Sequence, residues 1–279
     1  MRILDGKRVA LERQRELQKK VSALKRRGIF PKLAVILPTE DEAALAYLRA
    51  KERLAGEVGI DVERSPLPTG GTEGLLRRIQ ELDLDQTVSG ILVEAPLPSG
   101  IDAAAMRNAL PLDKDVDGAG YASLGRLAAG HPLFVPATAA AVLALLDGEG
   151  IEIAGQRVTV LGRSLVVGRP LALLLLARDA TVTVCHSRTR DLGAVVQSSD
   201  IVCVAVGRPG FLTAEMVRPG AVVIDIGTNR VAGRLVGDID FDCVAQIAGA
   251  VSPVPGGVGP LTTTILLEQV ADAAERVGR

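Results

Sequence analysis

The sequence predicts an α/β protein of two domains, each built around a mainly parallel sheet. Apolar runs rich in strand formers alternate with helical patterns, the order expected of strand–helix–strand units. A loop-rich stretch at residues 111–138 interrupts this alternation. Four further strand-like runs then follow at regular spacing, as in a doubly wound, Rossmann-like domain.

The first domain is predicted from two apolar runs and two helical patterns. Residues 7–27 have the spacing of an amphipathic helix, and residues 41–57 form a second helical pattern that ends near Gly59. The buried strands are "PKLAVILP" at 31–38 and "VSGILVEAPLP" at 88–98. We expect these elements to form the catalytic domain.

The second domain is predicted from strands at 157–162, 180–187, 200–207 and 221–227, with helices at 168–178 and 190–198 between the first three. A closing helix at about 261–277 is expected to return to the first domain. The predicted domains are therefore 1–118 with 260–279, and 119–259.

Composition excludes several function classes. The 279 residues carry a net charge of −1, so no basic excess predicts nucleic acid or an anionic membrane as a partner. Only 2% are aromatic, so the core must be aliphatic. Three separated cysteines favour a reduced, cytoplasmic setting, and two isolated histidines predict no metal site. The charged N-terminus does not resemble a signal peptide, and the apolar run at 170–177 is too short to span a bilayer.

The turn "VLGRSLVVGRP" at 160–170 lies between the first strand and first helix of the second domain. A helix N-terminus there favours an anion, so Gly162, Arg163 and Ser164 are candidate cofactor ligands. The spacing departs from G-x-G-x-x-G because Ser164 takes the middle position and Gly168 falls one place late. A purely structural turn stays open as an alternative. Gly207 and Thr228, at the ends of later strands, are further cofactor candidates.

The end of the next strand reads "CHSRT" at 185–189. NAD sites usually place a carboxylate there, about 20 residues on, to bind the ribose hydroxyls. Here Ser187 and Arg188 replace it, and a guanidinium suits a 2′-phosphate. Arg163 could reach the same phosphate. These residues predict NADP as the cofactor, although a solvated loop arginine is the simpler interpretation of each.

The first domain carries two candidate motifs. Tyr47 and Lys51 in "YLRAK" share one helix face, where a lysine in a partly apolar cleft can transfer a proton and a tyrosine ring can stack on a heterocycle. A chance spacing with a solvated lysine is the alternative. "KDVDG" at 114–118 offers Asp115 and Asp117 to an amino-pyrimidine edge, or it is merely an Asp-Gly turn.

Together with "GILVEAPLP" and "PVPGGVGP", these motifs resemble, in order and over essentially the whole chain, the bifunctional methylenetetrahydrofolate dehydrogenase/cyclohydrolases. The resemblance implies NADP or NAD as cofactor, a folate carrying a one-carbon bridge as substrate, and a homodimer formed through the nucleotide domain. It implies that Tyr47 stacks on the folate, that Lys51 is the central catalytic group, and that Asp117 binds the pterin. Cofactor phosphates would be held by Arg163, Ser164, Ser187 and Arg188. The folate cleft would be lined by Pro255, Gly256 and Gly257.

The sequence departs from the family on the folate side. "VEAPLP" has Glu94 where the family has Gln and Ala95 where it has Leu; further changes are Pro38, Glu42, Ala44 and "PATAAA" at 136–141. A carboxylate at Glu94 lies near the Lys51 ammonium if the strand places it as in the family, and it would favour the charged form. We therefore expect weakened cyclohydrolase activity. Two alternatives stay open. Glu94 is protonated or swings away and nothing changes, or Glu94 is itself a catalytic residue and acts as the base for water.

The sequence thus predicts an NADP-dependent oxidation of 5,10-methylenetetrahydrofolate, followed by hydrolysis to 10-formyltetrahydrofolate. Two alternatives remain at this stage: an NADP dehydrogenase of another small substrate, and a non-catalytic homologue that binds NADP or folate. Retention of Tyr47, Lys51 and Asp117 together argues against the second.

Overall fold

The computed structural model describes residues 1–37 and 42–278, with only the backbone at 42–44, 46 and 47. The chain forms two compact units. The six-stranded unit comprises Met1–Leu11 and Pro136–Thr262, and the three-stranded unit comprises Glu12–Val135 and Thr263–Arg279. The sequence-based boundary at residue 118 therefore lies inside the three-stranded unit, and Met1–Leu11 groups with the later part of the chain.

The helices are α1 Gly6–Arg26, α2 Glu42–Val58, α3 Gly71–Leu84, α4 Ala103–Ala109, α5 Tyr121–Ala128, α6 Ala137–Gly148, α7 Gly168–Leu176, α8 Leu192–Gln197, α9 Phe241–Ile247 and α10 Val258–Val277. The strands are β1 Arg2–Ile3, β2 Lys32–Leu37, β3 Asp61–Pro66, β4 Gly90–Val93, β5 Arg157–Leu161, β6 Thr181–Cys185, β7 Ile201–Val204, β8 Val222–Asp225, β9 Asn229–Val231, β10 Arg234–Val236 and β11 Ala250–Val251.

The sheet of the six-stranded unit has the order β1-β11-β8-β7-β5-β6, and every pairing in it is parallel. Strand β5 pairs with β6 on one side and with β7 on the other. The chain therefore reverses direction across the sheet at β5, which is the switch point where open α/β sheets bind ligands. The four long strands match the four predicted runs, and β9 and β10 form a separate antiparallel hairpin.

The three-stranded unit has a parallel sheet in the order β3-β2-β4. Strands β2 and β4 correspond to the two predicted apolar runs, but β3 and α3 were missed. Strand β3 reads "DVERSP" and buries only Ser65, so its sequence contains no apolar run. Helix α5 also lies within the stretch that the sequence analysis interpreted as loop.

Aliphatic side chains fill both cores, as the composition predicts. In the six-stranded unit valine, leucine, isoleucine and alanine from the strands and flanking helices form one buried cluster. Most of α6 is buried around its whole circumference, which is typical of a helix enclosed by its neighbours. In the three-stranded unit a second cluster joins β2 and β4 to α3 and α4.

The C-terminal segment belongs to the three-stranded unit from Thr263 onward. Arg13 on α1 forms an ion pair with Glu268 at 2.6 Å. The buried Gln269 accepts a hydrogen bond from the Val135 amide at 2.9 Å and donates to the Val116 carbonyl at 2.7 Å. This segment therefore supports the "KDVDG" loop directly.

Candidate active site

The carboxyl ends of parallel strands lie at one edge of a sheet, and this edge of the six-stranded unit gathers the predicted cofactor residues. The relevant loops are 162–167 after β5, 186–191 after β6, 205–208 after β7, 226–228 after β8 and 252–257 after β11. All the cofactor candidates and the "PVPGGVGP" loop therefore belong to a single edge of one unit.

The turn after β5 brings Gly162 and Gly168 into close backbone contact. A Cβ at Gly168 would lie 2.2 Å from the Gly162 carbonyl oxygen, and a Cβ at Gly162 would lie 2.3 Å from the Ala205 oxygen. Gly162 also has φ +118°, which favours glycine. The late glycine therefore serves close packing of the helix start against the strand end, although its spacing departs from the usual motif.

Ser164 has a structural reason to stand where the motif has glycine. Its Oγ accepts hydrogen bonds from the amides of Val167 at 3.1 Å and Gly168 at 3.3 Å, so it satisfies two backbone donors where α7 begins. Arg163 and Ser164 are both exposed at the edge. The turn thus presents a cation and a hydroxyl beside a helix N-terminus, which fits a phosphate.

The turn after β6 fits NADP. It contains His186, Ser187, Arg188 and Thr189, and no carboxylate stands among them. The Thr189 amide donates to the His186 carbonyl at 2.9 Å, and the His186 amide donates to Thr189 Oγ1 at 2.9 Å. This closed turn leaves Ser187 and Arg188 exposed at the end of β6, next to β5 in the sheet.

Two buried carboxylates that the sequence analysis missed organise the loops after β7 and β8. Asp238 accepts a hydrogen bond from the Gly207 amide at 2.9 Å. The N–H of Gly207, a candidate cofactor residue, is therefore already bonded within the protein. Asp225 accepts the Gly227 amide at 3.1 Å, next to the exposed Thr228. The signal that could have found them is a carboxylate at the end of an otherwise apolar strand, and the "GDID" run that follows the hairpin.

The loop after β11 owes its glycines partly to contacts within its own unit. Gly256 has φ +114°, and a Cβ at Gly257 would lie 2.8 Å from the Pro253 oxygen. A Cβ at Gly6, at the start of α1, would lie only 1.8 Å from the Gly257 oxygen. Pro255 is exposed at the tip. The folate-lining role predicted for Pro255, Gly256 and Gly257 remains a prediction beside this structural one.

In the three-stranded unit Lys51 and Glu94 form an ion pair, as the sequence analysis anticipated. Lys51 extends from the third turn of α2, and Glu94 directly follows β4, where its amide donates to the Ile36 carbonyl at 3.0 Å. The Lys51 ammonium donates a hydrogen bond to Glu94 Oε1. The side chains are 7% and 17% exposed, so Lys51 is not the solvated lysine of the simpler alternative.

Several residues that the resemblance singles out lie outside the described part of the chain. Tyr47 belongs to α2 one turn before Lys51, but its side chain is not described. The same holds for the side chains of Glu42 and Ala44, and Pro38 lies in the omitted segment 38–41. The stacking role of Tyr47 therefore stays a prediction.

The charged residues of the "KDVDG" loop differ in their surroundings, and two of them have clear structural roles. Lys114 Nζ donates to the carbonyls that end α3, those of Leu82, Asp83 and Asp85 at 3.0, 2.6 and 2.8 Å. Burial lowers the pKa of Lys114, and the nearby Asp83 and Asp85 carboxylates oppose this effect. Lys114 thus caps a helix C-terminus.

Asp115 accepts its hydrogen bonds from residues that follow it closely in the chain. It is 1% exposed and accepts hydrogen bonds from the amides of Ala119 at 3.0 Å and Gly120 at 2.8 Å, and from the Ser123 hydroxyl. Burial raises its pKa, and these hydrogen bonds oppose the rise. Of the two aspartates that the sequence offered, the half-buried Asp117 is therefore the candidate ligand.

Comparison with known proteins covers both units. Residues 4–117 match the catalytic domain, and residues 136–278 the NAD(P)-binding domain, of tetrahydrofolate dehydrogenase/cyclohydrolase. The chain belongs to the tetrahydrofolate dehydrogenase/cyclohydrolase family. Among its family relatives, "Bifunctional protein FolD" of Parafrankia sp. is 53% identical over 98% of this chain and 99% of the relative. The protein of that name from Moorella thermoacetica is 48% identical over the same shares of the two chains.

Solved structures of the family have the same fold. The bifunctional enzyme FolD from Campylobacter jejuni superposes with a TM-score of 0.96 at 38% identity and covers 99% of both chains. The Trypanosoma brucei enzyme, solved with NADP cofactor and inhibitor, gives a TM-score of 0.92 at 39% identity over 98% of this chain and 97% of that one. The two-domain α/β prediction and the family resemblance are therefore confirmed.

Within the described residues, no group of three or more histidine, cysteine, aspartate or glutamate side chains could hold a metal ion. Among the same residues, no helix has the length and apolar character needed to cross a bilayer.

Proposed function

We propose that the protein oxidises 5,10-methylenetetrahydrofolate to 5,10-methenyltetrahydrofolate with NADP, and hydrolyses the product to 10-formyltetrahydrofolate. The observation that carries the proposal is family membership along both units, with the catalytic-domain match at 4–117 and the NAD(P)-binding match at 136–278. Relatives of nearly full length bear the name bifunctional protein FolD, and the Trypanosoma brucei structure contains NADP.

The edge of the six-stranded sheet that gathers the cofactor candidates, here called the cofactor edge, supports NADP as the cofactor. NADP, when bound, accepts the hydride from the bridging carbon of the folate. Arg163 and Arg188 stand exposed at the ends of neighbouring strands and supply cations for the 2′-phosphate. Ser164 and Ser187 supply hydroxyls, and the Gly162 turn lets the backbone approach closely. The oxidation needs mainly alignment of two flat rings and little proton transfer from the protein.

The folate is bound by residues 1–118 with 260–279, and NADP by residues 119–259. Asp117 binds the pterin edge, Tyr47 stacks on the ring, and Lys51 is the central catalytic group. Pro255, Gly256 and Gly257 line the folate site, and Gly207 and Thr228 contact the cofactor. The choice of Asp117 as the folate ligand is supported by the contrast with Asp115, whose oxygens accept hydrogen bonds from its own loop.

The oxidation is the stronger of the two activities. In the hydrolytic step water attacks the methenyl carbon and loses a proton, and one C–N bond of the bridge then opens. That step needs a group able to move protons, and the Lys51 ammonium is bound in an ion pair with the Glu94 carboxylate. The family's neutral glutamine would form no such ion pair.

The protein works as a homodimer formed through its nucleotide domain and is located in the cytoplasm. The dimer follows from the family resemblance. The location is supported by its three cysteines, which are all free thiols.

A two-wavelength assay tests the proposal. Purified protein with methylenetetrahydrofolate and NADP should produce NADPH and methenyl-folate in the same step. The absorbance of each product is measured at its own wavelength. Accumulation of methenyl-folate shows directly how far hydrolysis lags behind oxidation. No NADPH at high enzyme concentration would refute the proposal. Calorimetry with NADP and a folate analogue then separates a non-catalytic binding protein from a dehydrogenase of another substrate.

A further inference from the structure

Asp238 is a fully buried carboxylate that forms hydrogen bonds with the loop after β7, at the cofactor edge. It follows β10, and its side chain accepts hydrogen bonds from three consecutive amides: Oδ2 from Val206 at 2.7 Å and Gly207 at 2.9 Å, and Oδ1 from Arg208 at 2.9 Å. Oδ1 also accepts from Asn229 Nδ2 at 2.8 Å. A buried charge is costly unless such donors surround it, so the four bonds fix this carboxylate and the loop together.

The loop whose amides donate to Asp238 lies at the switch point of the sheet. Residues 205–208 follow β7, which pairs directly with β5. Because a Cβ at Gly162 would lie 2.3 Å from the Ala205 oxygen, the loop touches the first turn of the cofactor edge. A shift of the loop would therefore displace the Gly162 turn or open a gap beside it.

A second buried carboxylate holds Asp238 in place. Asp225, 2% exposed, accepts the amides of Asp238 at 2.9 Å and Ile239 at 3.2 Å. Glycines make room for both side chains: a Cβ at Gly227 would lie 2.1 Å from Asp238 Cγ, and a Cβ at Gly237 would lie 1.8 Å from Asp225 Oδ2. The two carboxylates thus link the loops after β7, β8 and β10 into one packed assembly.

We infer that Asp238 is a positioning residue for the cofactor: it holds residues 205–208 against the Gly162 turn in the conformation that binds NADP. Asp225 acts one step further back, through the backbone of Asp238. The inference rests on the proposed function, since it takes NADP as the ligand of this edge. Asp238 itself, being fully buried, does not contact the cofactor.

The test is Asp238→Asn, with NADP affinity measured by calorimetry and both KM values measured by NADPH formation. Whichever way the new amide turns, its NH2 group faces two N–H donors that lose their acceptor. We expect the Kd and KM for NADP to rise about tenfold, with the KM for methylenetetrahydrofolate little changed. A merely structural role would lower the active fraction, and hence kcat, but leave both KM values as they were.

Asp240→Asn is the matched control. Asp240 lies in the same unit, and its side chain caps α9 by accepting a hydrogen bond from the Cys243 amide at 3.4 Å, so the KM of this variant for NADP should stay unchanged. If Asp238→Asn does not fold, Asn229→Ala removes a single donor and should raise the NADP Kd less, in the same direction. Unchanged NADP affinity in the soluble variants would overturn the inference. Failure of the unsubstituted protein to bind NADP would instead refute the proposed function.

Discussion

The Lys51 ammonium donates a hydrogen bond to the Glu94 carboxylate, and both side chains are largely withdrawn from water. Exposed ion pairs of this kind are weak because water and salt screen them. A pair at 7% and 17% exposure is screened much less, so the Glu94 carboxylate interacts strongly with the Lys51 ammonium. We therefore expect this pair to affect the hydrolytic half-reaction, for which Lys51 is the proposed catalytic group.

Glu94→Gln should raise the rate of methenyl-folate hydrolysis about tenfold, equivalent to about 1.4 kcal/mol of activation free energy. The neutral amide can still accept a hydrogen bond from Lys51 but forms no ion pair with it. NADPH formation should change much less. The measurement is the loss of methenyl-folate absorbance with purified methenyl-folate as substrate. A fall in this rate would mean that Glu94 is itself the base for water.

Lys51→Met provides the matched background for that experiment. Because Lys51 is the proposed catalytic group, Lys51→Met should abolish most of the hydrolysis, and Glu94→Gln should not raise the residual rate if Glu94 acts through Lys51. A residual rate that Glu94→Gln still raises about tenfold would show that the two residues act independently. The cycle separates the interaction of the pair from any general effect of replacing a half-buried carboxylate.

Arg188→Ala should raise the KM for NADP about tenfold or more while leaving the KM for NAD nearly unchanged. A guanidinium–phosphate contact is a charge-assisted bond of about 1.5–3 kcal/mol, and only NADP carries the 2′-phosphate. Arg190→Ala removes the same charge from the same exposed segment and should affect both cofactors by about twofold at most. Steady-state kinetics with each cofactor make the comparison. Equal effects of Arg188→Ala on both would show that it does not contact the 2′-phosphate.

Gly168→Ala should destabilise the protein by about 2–3 kcal/mol and weaken NADP binding. Its Cβ would lie 2.2 Å from the Gly162 carbonyl oxygen, a backbone atom that cannot swing aside. Gly193→Ala is the control, because a Cβ there meets nothing within 4 Å and Gly193 lies in helix α8, where alanine is favoured. Thermal unfolding should show a lower Tm for the first variant and an equal or higher Tm for the second.

The four long strands of the six-stranded unit could be predicted because each is a buried apolar run, and burial in a parallel sheet imposes that pattern. Strand β3 could not, since only Ser65 of its six residues is buried and its pairing with β2 comes from the backbone. The two-residue strands β1 and β11 are too short for any periodicity to register. Their place in the sheet depends on long-range pairing of Arg2 with Ala250.

Within the candidate site, contacts that follow from residue type were predictable, and those that depend on backbone geometry were less so. The Lys51–Glu94 pair followed from the motifs "YLRAK" and "VEAPLP" in the family's order, and the structure confirms it. The different roles of Asp115 and Asp117 could not be predicted from the motifs, because they depend on which carboxylate faces the amides of 119 and 120. Asp225 and Asp238 were missed for the same reason: their donors come from loops that are distant in sequence.

Asp225 should make the stability of the six-stranded unit depend on pH. Burial is the main cause that raises the pKa of Asp225 to about 6, with the Asp238 carboxylate adding to it against the opposing amide hydrogen bonds. In the unfolded chain an aspartate releases its proton near pH 3.9. Between about pH 4 and 6 the folded state therefore binds more protons, so this contribution is fully present below about pH 4 and is lost as the pH rises through 6.

Asp225→Asn removes this titration and should therefore alter the pH profile of unfolding. Relative to the variant, the wild-type free energy of unfolding should fall by about 2–3 kcal/mol as the pH rises from about 4 to 7, because each unit of pKa shift corresponds to about 1.4 kcal/mol. Urea unfolding of both proteins across this range gives the difference in unfolding free energy at each pH. Hydrogen bonds that the variant loses at every pH shift this difference by a constant amount and do not affect its pH dependence. The effect should persist at high salt, since burial is not screened as surface ion pairs are. A difference that stays constant with pH would show that Asp225 remains ionised throughout, held so by the amides of Gly227, Asp238 and Ile239.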